Sequence, residues 1–408
     1  MNELSTFSTG LVSSAAFISI LGALVALAVA EIHRRLIRSL SRSLPAQQPR
    51  SYPSVTIVRP IRGLDVGARE NVLALLDTDY PGELEIFFAL DSEADPAYSL
   101  VRAAILERKD VPRTRVDVLI AGPPPKGRTG KLNAMLLGTQ KARGELLAFN
   151  DSDTRPPPEL LRALVDALFS NPRAGATFAP IVARADAPRV GDVGYALLVN
   201  AWYSPSVAFV AGPQGELPFI MGQFMVFKRE ALDAIGGIRC AEGQLVDDMY
   251  IGKCVAEAGW LNVMIAKPLP IVIGGMGMIQ FLRTFRRWVL FSQGGLPRSF
   301  ALFNWVRGIL AWVAWLALAA ALALAHPAAA ILPAAAIALF AASQLGLQRR
   351  LGGPRVPIRY LWMAALMPLL GALVALSTRI WRSVDWRGRS YDLESGARLG
   401  SRSPARES

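Results

Sequence analysis

The sequence is poor in histidine, cysteine and charge. Only 2 His and 2 Cys occur in 408 residues, and charged side chains make up 19%. His33 stands in a basic stretch and His326 between two apolar runs. Neither has a neighbour at ligand spacing, which excludes His-built metal sites and Ser-His-Asp hydrolysis. Two cysteines cannot staple a chain of this size, so a disulfide scaffold is excluded as well. In a cytosolic setting Cys240 and Cys254 are expected as free thiols. The chain is instead rich in apolar residues, at 52% with a mean hydropathy of +0.33. That exceeds what a soluble protein needs. Lys and Arg number 44 against 32 Asp and Glu, a net charge of +12. Such a balance can mark a nucleic-acid binder. Here the basic residues flank apolar runs, so the partner we read is a membrane and not nucleic acid.

Leu11 to Ala30 is an uncharged run of about the 20 residues that a bilayer-spanning helix needs. The decapeptide before it has one acid and no base, whereas EIHRRLIRSLSRSLPAQQPR follows it. This order is the reverse of a cleaved signal peptide. We therefore expect an N-terminal transmembrane anchor at 1–30 with its N-terminus outside, then a basic juxtamembrane linker at 31–50. Three more apolar runs, Gly308–Ala325, Ala328–Leu347 and Tyr360–Ser377, make a C-terminal membrane part at 306–378, preceded by an interfacial segment at 281–305. The basic loop QRRLGGPRVPIR between the last two runs belongs inside. Counting spans places the polar tail, 379–408, outside, but its arginines favour the inside, so its side stays open.

Residues 51–280 read as one α/β domain. Strands are expected at Ser54–Pro60, in ELEIFFAL up to Leu90, at Arg115–Gly122 and at Glu145–Asn150. They alternate with helices at Ala68–Leu76, Tyr98–Arg108, Lys131–Lys141 and Pro157–Phe169. This alternation predicts a parallel sheet covered on both faces. Ligands of such sheets bind beyond the carboxyl ends of the strands. Asp91 follows the second strand, and Asp151 and Asp153 follow the fourth. Two acids one residue apart, on a loop leaving a buried strand, suit a hard cation bridging a diphosphate. The alternative is an Asx turn capping the next helix. Further on, Gly222 and Gln223 interrupt an apolar strand. Asp247 and Asp248 open a helix, where the helix dipole alone accommodates acids. FLRTFRRWVLF sets Arg283, Arg286, Arg287 and Trp288 before the membrane part, for anchoring or for phosphate. GPPPKGRTGK approaches the phosphate-loop pattern, but Arg128 replaces its lysine and three prolines remove N–H donors, so ATP hydrolysis is excluded.

In order, VRPIRGLD, LLDTDYP, FFALDSEADPA, GKLNA, FNDSDTRPPPELL, MGQFMVFKREALDAIGG and LVDDMYIG resemble the inverting GT-A glycosyltransferases. Within them, the set is similar to the ceramide glucosyltransferase family and its bacterial relatives, over about Val55 to Trp288. The resemblance implies a GT-A fold, a Rossmann-like α/β domain with a mostly parallel sheet. It implies that Asp91 meets the uracil side of the donor and that Lys131 lies near the donor. Asp151 and Asp153 would form the diacid motif, with Asp153 nearest a Mg²⁺ or Mn²⁺ ion. Gly222 and Gln223 would line the sugar, and Asp248 would be the catalytic base beside Asp247. Arg287 would meet the donor and Trp288 the acceptor, as the Arg-Trp of a Gln/Arg-x-x-Arg-Trp motif. The first position of that motif is Thr284 here, with Arg283 and Arg286 the nearest basic replacements. GRTGK also lacks the Asn-Pro of the ceramide group.

The implied reaction moves a hexose from a UDP-sugar, UDP-glucose first, to a lipid hydroxyl, ceramide first, giving a β-glycoside. The setting implied is a bacterial inner membrane with the catalytic domain in the cytosol. A hopanoid, glycerolipid or polyprenyl phosphate acceptor is the alternative. A non-catalytic membrane scaffold is the reading from a different class, and the intact Asp91, Asp151, Asp153 and Asp248 argue against it.

Overall fold

A computed structural model describes residues 2–108, 113–380, 383–387, 389–393 and 398–400. Residues 381–382, 388, 394–397 and 401–408 of the expected tail lie outside the described residues. The first helix, α1 (Asn2–Leu40), continues well past position 30. Half of the stretch expected as a linker is thus helical. Glu31 pairs with Arg34 and Arg35 at 2.6 Å, one turn on, and no proline interrupts the chain before Pro45.

The domain then alternates as its periodicity predicts: β1 (Val55–Ile61), α2 (Ala68–Leu76), β2 (Leu84–Leu90), α3 (Pro96–Glu107), β3 (Thr114–Ile120), α4 (Gly130–Lys141), β4 (Leu146–Asn150) and α5 (Leu160–Phe169). Next come β5 (Ala174–Phe178), β6 (Ile181–Arg184), α6 (Val190–Leu197), a π-helical stretch (Leu198–Tyr203) and α7 (Ser204–Val210). They are followed by β7 (Glu216–Leu217), β8 (Phe224–Lys228), α8 (Arg229–Asp233), α9 (Asp247–Glu257), β9 (Leu261–Met264) and β10 (Leu269–Val272).

The main sheet has the order β3-β2-β1-β4-β8-β5-β9-β7. It is mostly parallel, as expected, with β8 running against β4 and β5, and β7 against β9. The reversal of β8 matters for the site. It sets Phe224 opposite Asn150, so Gly222 and Gln223 lie beside the loop that carries Asp151 and Asp153. Both faces of the sheet are covered. Along β1, Val55 and Ile57 enter one apolar layer and Val58 the other, the alternation a strand imposes.

The remaining elements are α10 (Met278–Ser292), α11 (Arg298–Ala323), α12 (Pro327–Arg350), α13 (Trp362–Ile380) and a hairpin of β11 (Ser383–Trp386) and β12 (Arg389–Asp392). α1, α11 and α12 pack through Val25, Val29, Ala311, Ala314, Ala336 and Phe340. Gly22 lies directly against Pro333, where any side chain would collide. By length and composition α1, α11, α12 and α13 could each cross a membrane. So could Val190–Val210, but 83% of its window is buried, and it forms a core layer between sheet and bundle.

α13 has the length and composition of a third C-terminal span. α12 ends close to the α/β domain, where Arg350 donates to Ser41 Oγ at 2.8 Å and Gly353 packs on Asn200. α13 then lies along α10, with Gln293 Nε2 donating to Thr378 Oγ1 at 3.1 Å. The hairpin continues from there onto the carboxyl end of the sheet. The arginines that follow α13 find carboxylate partners in the domain, Arg387 with Asp65 at 2.6 Å and Arg389 with Asp91 at 3.0 Å.

Candidate functional site

The carboxyl ends of β1, β2 and β4 open into a cleft roofed by the start of α9, by α10 and by the hairpin. Asp91, Lys131, Asp151, Asp153, Gln223, Asp247, Asp248, Arg287 and Trp288 all line it. Gly222 stands just behind Asp248. The residues that the resemblance assigned to donor, acceptor, metal and base are thus brought to one place.

Lys131 is in the first turn of α4, which Thr129 caps by accepting from Leu132 N. Its ammonium lies 2.8 Å from Asp151 Oδ1 and 3.8 Å from Asp247 Oδ1. It bridges the diacid loop to the start of α9. Burial opposes its charge, but Asp151, Asp247 and Asp248 outweigh this and hold Lys131 above the usual lysine range.

Asp248 Oδ2 accepts from Gly222 N at 2.5 Å, and Oδ1 accepts from Met249 N at 2.9 Å. A methyl group on Gly222 would stand 2.6 Å from the Asp248 carboxyl carbon. That close approach is what glycine provides here. Burial, opposed by Lys131 and reinforced by Asp247, pushes the Asp248 carboxyl up to about 6. Burial likewise raises Asp247.

Asp151 N donates to Gln223 O at 2.9 Å, tying the diacid loop to the start of β8. Burial, with Asp151 and Asp65 nearby, pushes Asp153 up to about 6. Asp153 Oδ1, Asp247 Oδ2 and Gln223 Oε1 are buried without a hydrogen-bond partner among the described residues. Buried polar atoms are rarely left so, and their clustering at one cleft points to a polar ligand.

Asp91 is not open to solvent alone. Its Oδ2 accepts from Arg62 at 3.2 Å and from Arg389 at 3.0 Å. Arg287 is pulled below the usual arginine range by burial. Trp288 packs edge-on against Tyr203 at 4.8 Å and Tyr195 at 6.0 Å. Thr284 is buried on α10. Of its two nearest basic neighbours, Arg283 is exposed and Arg286 donates to Ser383 O at 3.2 Å, and neither lines the cleft.

Sequence reasoning missed several contributors. Arg59 is wholly buried beneath the diacid loop. It donates to Asn150 Oδ1 at 2.8 Å, Asn71 O at 2.6 Å and Thr154 Oγ1 at 3.0 Å. An arginine inside the strand VTIVRPI was the available signal. Arg62, Tyr195, Tyr203, Arg387, Arg389 and Tyr391 also line the cleft. Three of these come from the hairpin, whose alternating SVDW and RSYD around Arg-Gly was a legible turn pattern.

Against known proteins, residues 18–399 match the profile of glycosyl transferase family 21. The chain belongs to glycosyl transferase family 21. Relatives are distant. Ceramide glucosyltransferase 3 of Caenorhabditis elegans is 24% identical over 251 residues, 60% of this chain and 52% of that protein. Probable glycosyltransferase YdaM of Bacillus subtilis is 23% identical over 208 residues, 49% of this chain and 46% of that protein. The chain thus spans about half the length of these curated relatives. Among solved structures, a mannosyltransferase of Pyrobaculum calidifontis in complex with GDP-Man and Mn2+ superposes with a TM-score of 0.50. It is 21% identical, covering 90% of this chain and 99% of its own. That likeness supports the GT-A fold for this family 21 member.

Proposed function

We propose that this chain is a membrane-bound inverting hexosyltransferase that carries glucose from UDP-glucose to the hydroxyl of a ceramide-type lipid. One observation carries the reading: the charged cleft and an apolar groove meet at Tyr203 and Trp288. The groove runs between α10, α11 and α13 past Phe285, Phe300, Trp305, Trp312 and Pro368. A polar donor and a lipid tail thereby reach a common point. The family, the name of the nematode relative and the GDP-Man of the archaeal neighbour support it.

A divalent cation, Mg²⁺ or Mn²⁺, fits the residues present. Asp153, with its unpartnered buried oxygen, would hold it together with Asp151. No group of three His, Cys, Asp or Glu able to hold a metal occurs among the described residues. This suits an ion whose shell is completed by diphosphate and water. When bound, such an ion neutralises charge on the diphosphate leaving group.

The chain's own residues do the rest. Arg287 adds positive charge on the leaving-group side. Asp248 takes the proton of the lipid hydroxyl as that oxygen attacks the anomeric carbon from the opposite face. The Gly222 N–H fixes its carboxylate, and Lys131 keeps it ionised. An α-linked donor then yields a β-glycoside with no covalent enzyme intermediate.

We place the catalytic domain in the cytosol at a bacterial inner membrane, with crossings by α1, α11 and α12 and with α13 at the interface. Arg34, Arg35, Arg349, Arg350 and the tail arginines then share one side, as the positive-inside rule asks. The test is UDP release by purified protein with UDP-glucose, Mn²⁺ and ceramide, beside Asp248→Asn. Ceramide-dependent release lost in the variant supports the reading. Release that is indifferent to ceramide but rises with another lipid overturns the acceptor. No turnover of any UDP-sugar overturns the chemistry.

A further inference from the structure

We infer that the C-terminal hairpin completes the donor site, with Arg387 a ligand of the nucleotide diphosphate and Arg389 a positioning residue for Asp91. This rests on the nucleotide-sugar reading above. Five carboxylates line the cleft, Asp91, Asp151, Asp153, Asp247 and Asp248, and five cations face them, Arg62, Lys131, Arg287, Arg387 and Arg389. Two of those five cations come from the hairpin. Without it, the wall offered to a diphosphate would be dominated by negative charge.

The hairpin is seated, not trailing. Val384, Tyr391 and Leu393 are buried, and Leu399 N donates to Gly243 O at 2.9 Å. At the turn Arg387 adopts φ 53°, the left-handed conformation that tight hairpin turns use. Its guanidinium lies 2.6 Å from Asp65 Oδ1 and donates to Arg62 O at 3.2 Å and Ser152 Oγ at 3.4 Å. Ser152 is the residue between Asp151 and Asp153. A planar fork of donors at that point is shaped for phosphate oxygens. Arg389 is buried against Asp91 Oδ2 at 3.0 Å and sits at the start of α4 beside Gly130. It acts through Asp91 and not on the reacting atoms.

The experiment measures UDP and UMP binding, with Mn²⁺, to the full chain in detergent. Arg387→Ala should weaken UDP by about 10- to 100-fold and UMP by less than about threefold, and Arg387→Lys should restore part of the loss. Unchanged UDP affinity in Arg387→Ala overturns the hairpin's role while leaving the donor reading intact. Tighter UDP binding in that variant also overturns it, because the hairpin would then be a plug. No UDP binding by the unaltered protein removes the donor reading itself. Should the variant fail to fold, tryptic cleavage at Arg387 and Arg389 of the unaltered chain decides. UDP should slow it about tenfold and UMP should not, and equal rates overturn the proposal.

Discussion

Removing the Lys131 ammonium should move the acid limb of the rate profile upward. The ammonium sits 3.8 Å from Asp247 and 2.8 Å from Asp151, with 14% of the side chain exposed, so solvent screens it little. At an effective dielectric of about 20, a charge pair at the longer separation is worth about 4 kcal/mol. Asp248 is one residue beyond Asp247. If it feels about half of that, its carboxyl moves by about one and a half pH units. In the unaltered enzyme Asp248 is pushed to about 6 by burial, against the pull of Lys131. A carboxylate base works only when ionised, so kcat/KM should fall as pH drops through that value. In Lys131→Met the midpoint of the loss should move to about pH 7.5. At pH 7 the ionised fraction then drops from about nine-tenths to about one-quarter, a loss of about fourfold that shrinks by pH 9. The assay is kcat/KM from UDP release between pH 5 and 9, with UDP affinity measured beside it. An acid limb that stays where it was, with activity lowered equally at every pH, would refute the account of Lys131 as the group that keeps the base ionised.

Other outcomes follow from the same geometry. Asp153→Asn should abolish the gain in thermal stability that Mn²⁺ plus UDP gives the unaltered protein, while leaving the metal-free melting temperature unchanged or higher, since it relieves repulsion with Asp151 and Asp65. Gly222→Ala should lower kcat by about a hundredfold with UDP affinity within about threefold, because a methyl displaces Asp248 and leaves the diacid loop alone. Arg59→Met removes the guanidinium donors of Asn71 O and Asn150 Oδ1 in a buried site and should cost about 1–3 kcal/mol, read as a drop in melting temperature. A fluorescent reporter fused after residue 408 should fold in the cytosol, and a reporter of the opposite sidedness would remove the placement of α13 at the interface.

Much of the catalytic half was legible because local signals and tertiary demands agree there. ELEIFFAL and ELLAFN are too apolar to be anything but buried strands, and β2 and β4 are that. Asp91, Asp151 and Asp153 follow those strands, and strand ends are where a parallel sheet presents its loops. The antiparallel β8 was less visible. Its apolar run says strand, but direction depends on which neighbour it pairs with. Only that pairing explains why Gly222 and Gln223 reach the diacid loop. Arg59 shows the opposite failure. A charge in a strand interior reads as an exposed edge position, yet its partners are the carbonyl oxygens of Asn71 and Thr154, the Thr154 hydroxyl and the Asn150 amide, most of them far away in sequence.

The side of the tail stays open in the sequence for a related reason. Hydropathy treats Trp362–Ile380 as one more span, because it has the length and the composition. The contacts that tie the chain after α13 to the cleft lie outside the helix, in long-range pairs. Arg387 finds Asp65 and Arg389 finds Asp91, while Arg286 holds Ser383. Carrying those arginines across a bilayer would sacrifice all three contacts and add the cost of moving several charges through the apolar layer, about 3 kcal/mol each even on the gentlest scale. The excess of arginine after residue 377 conflicts with a count of four spans, and the proposed placement of α13 at the interface removes that conflict. The conflict between charge and count was itself the information. It left the side of the tail open, and the pairs that Arg387 and Arg389 make in the cleft bear on that choice.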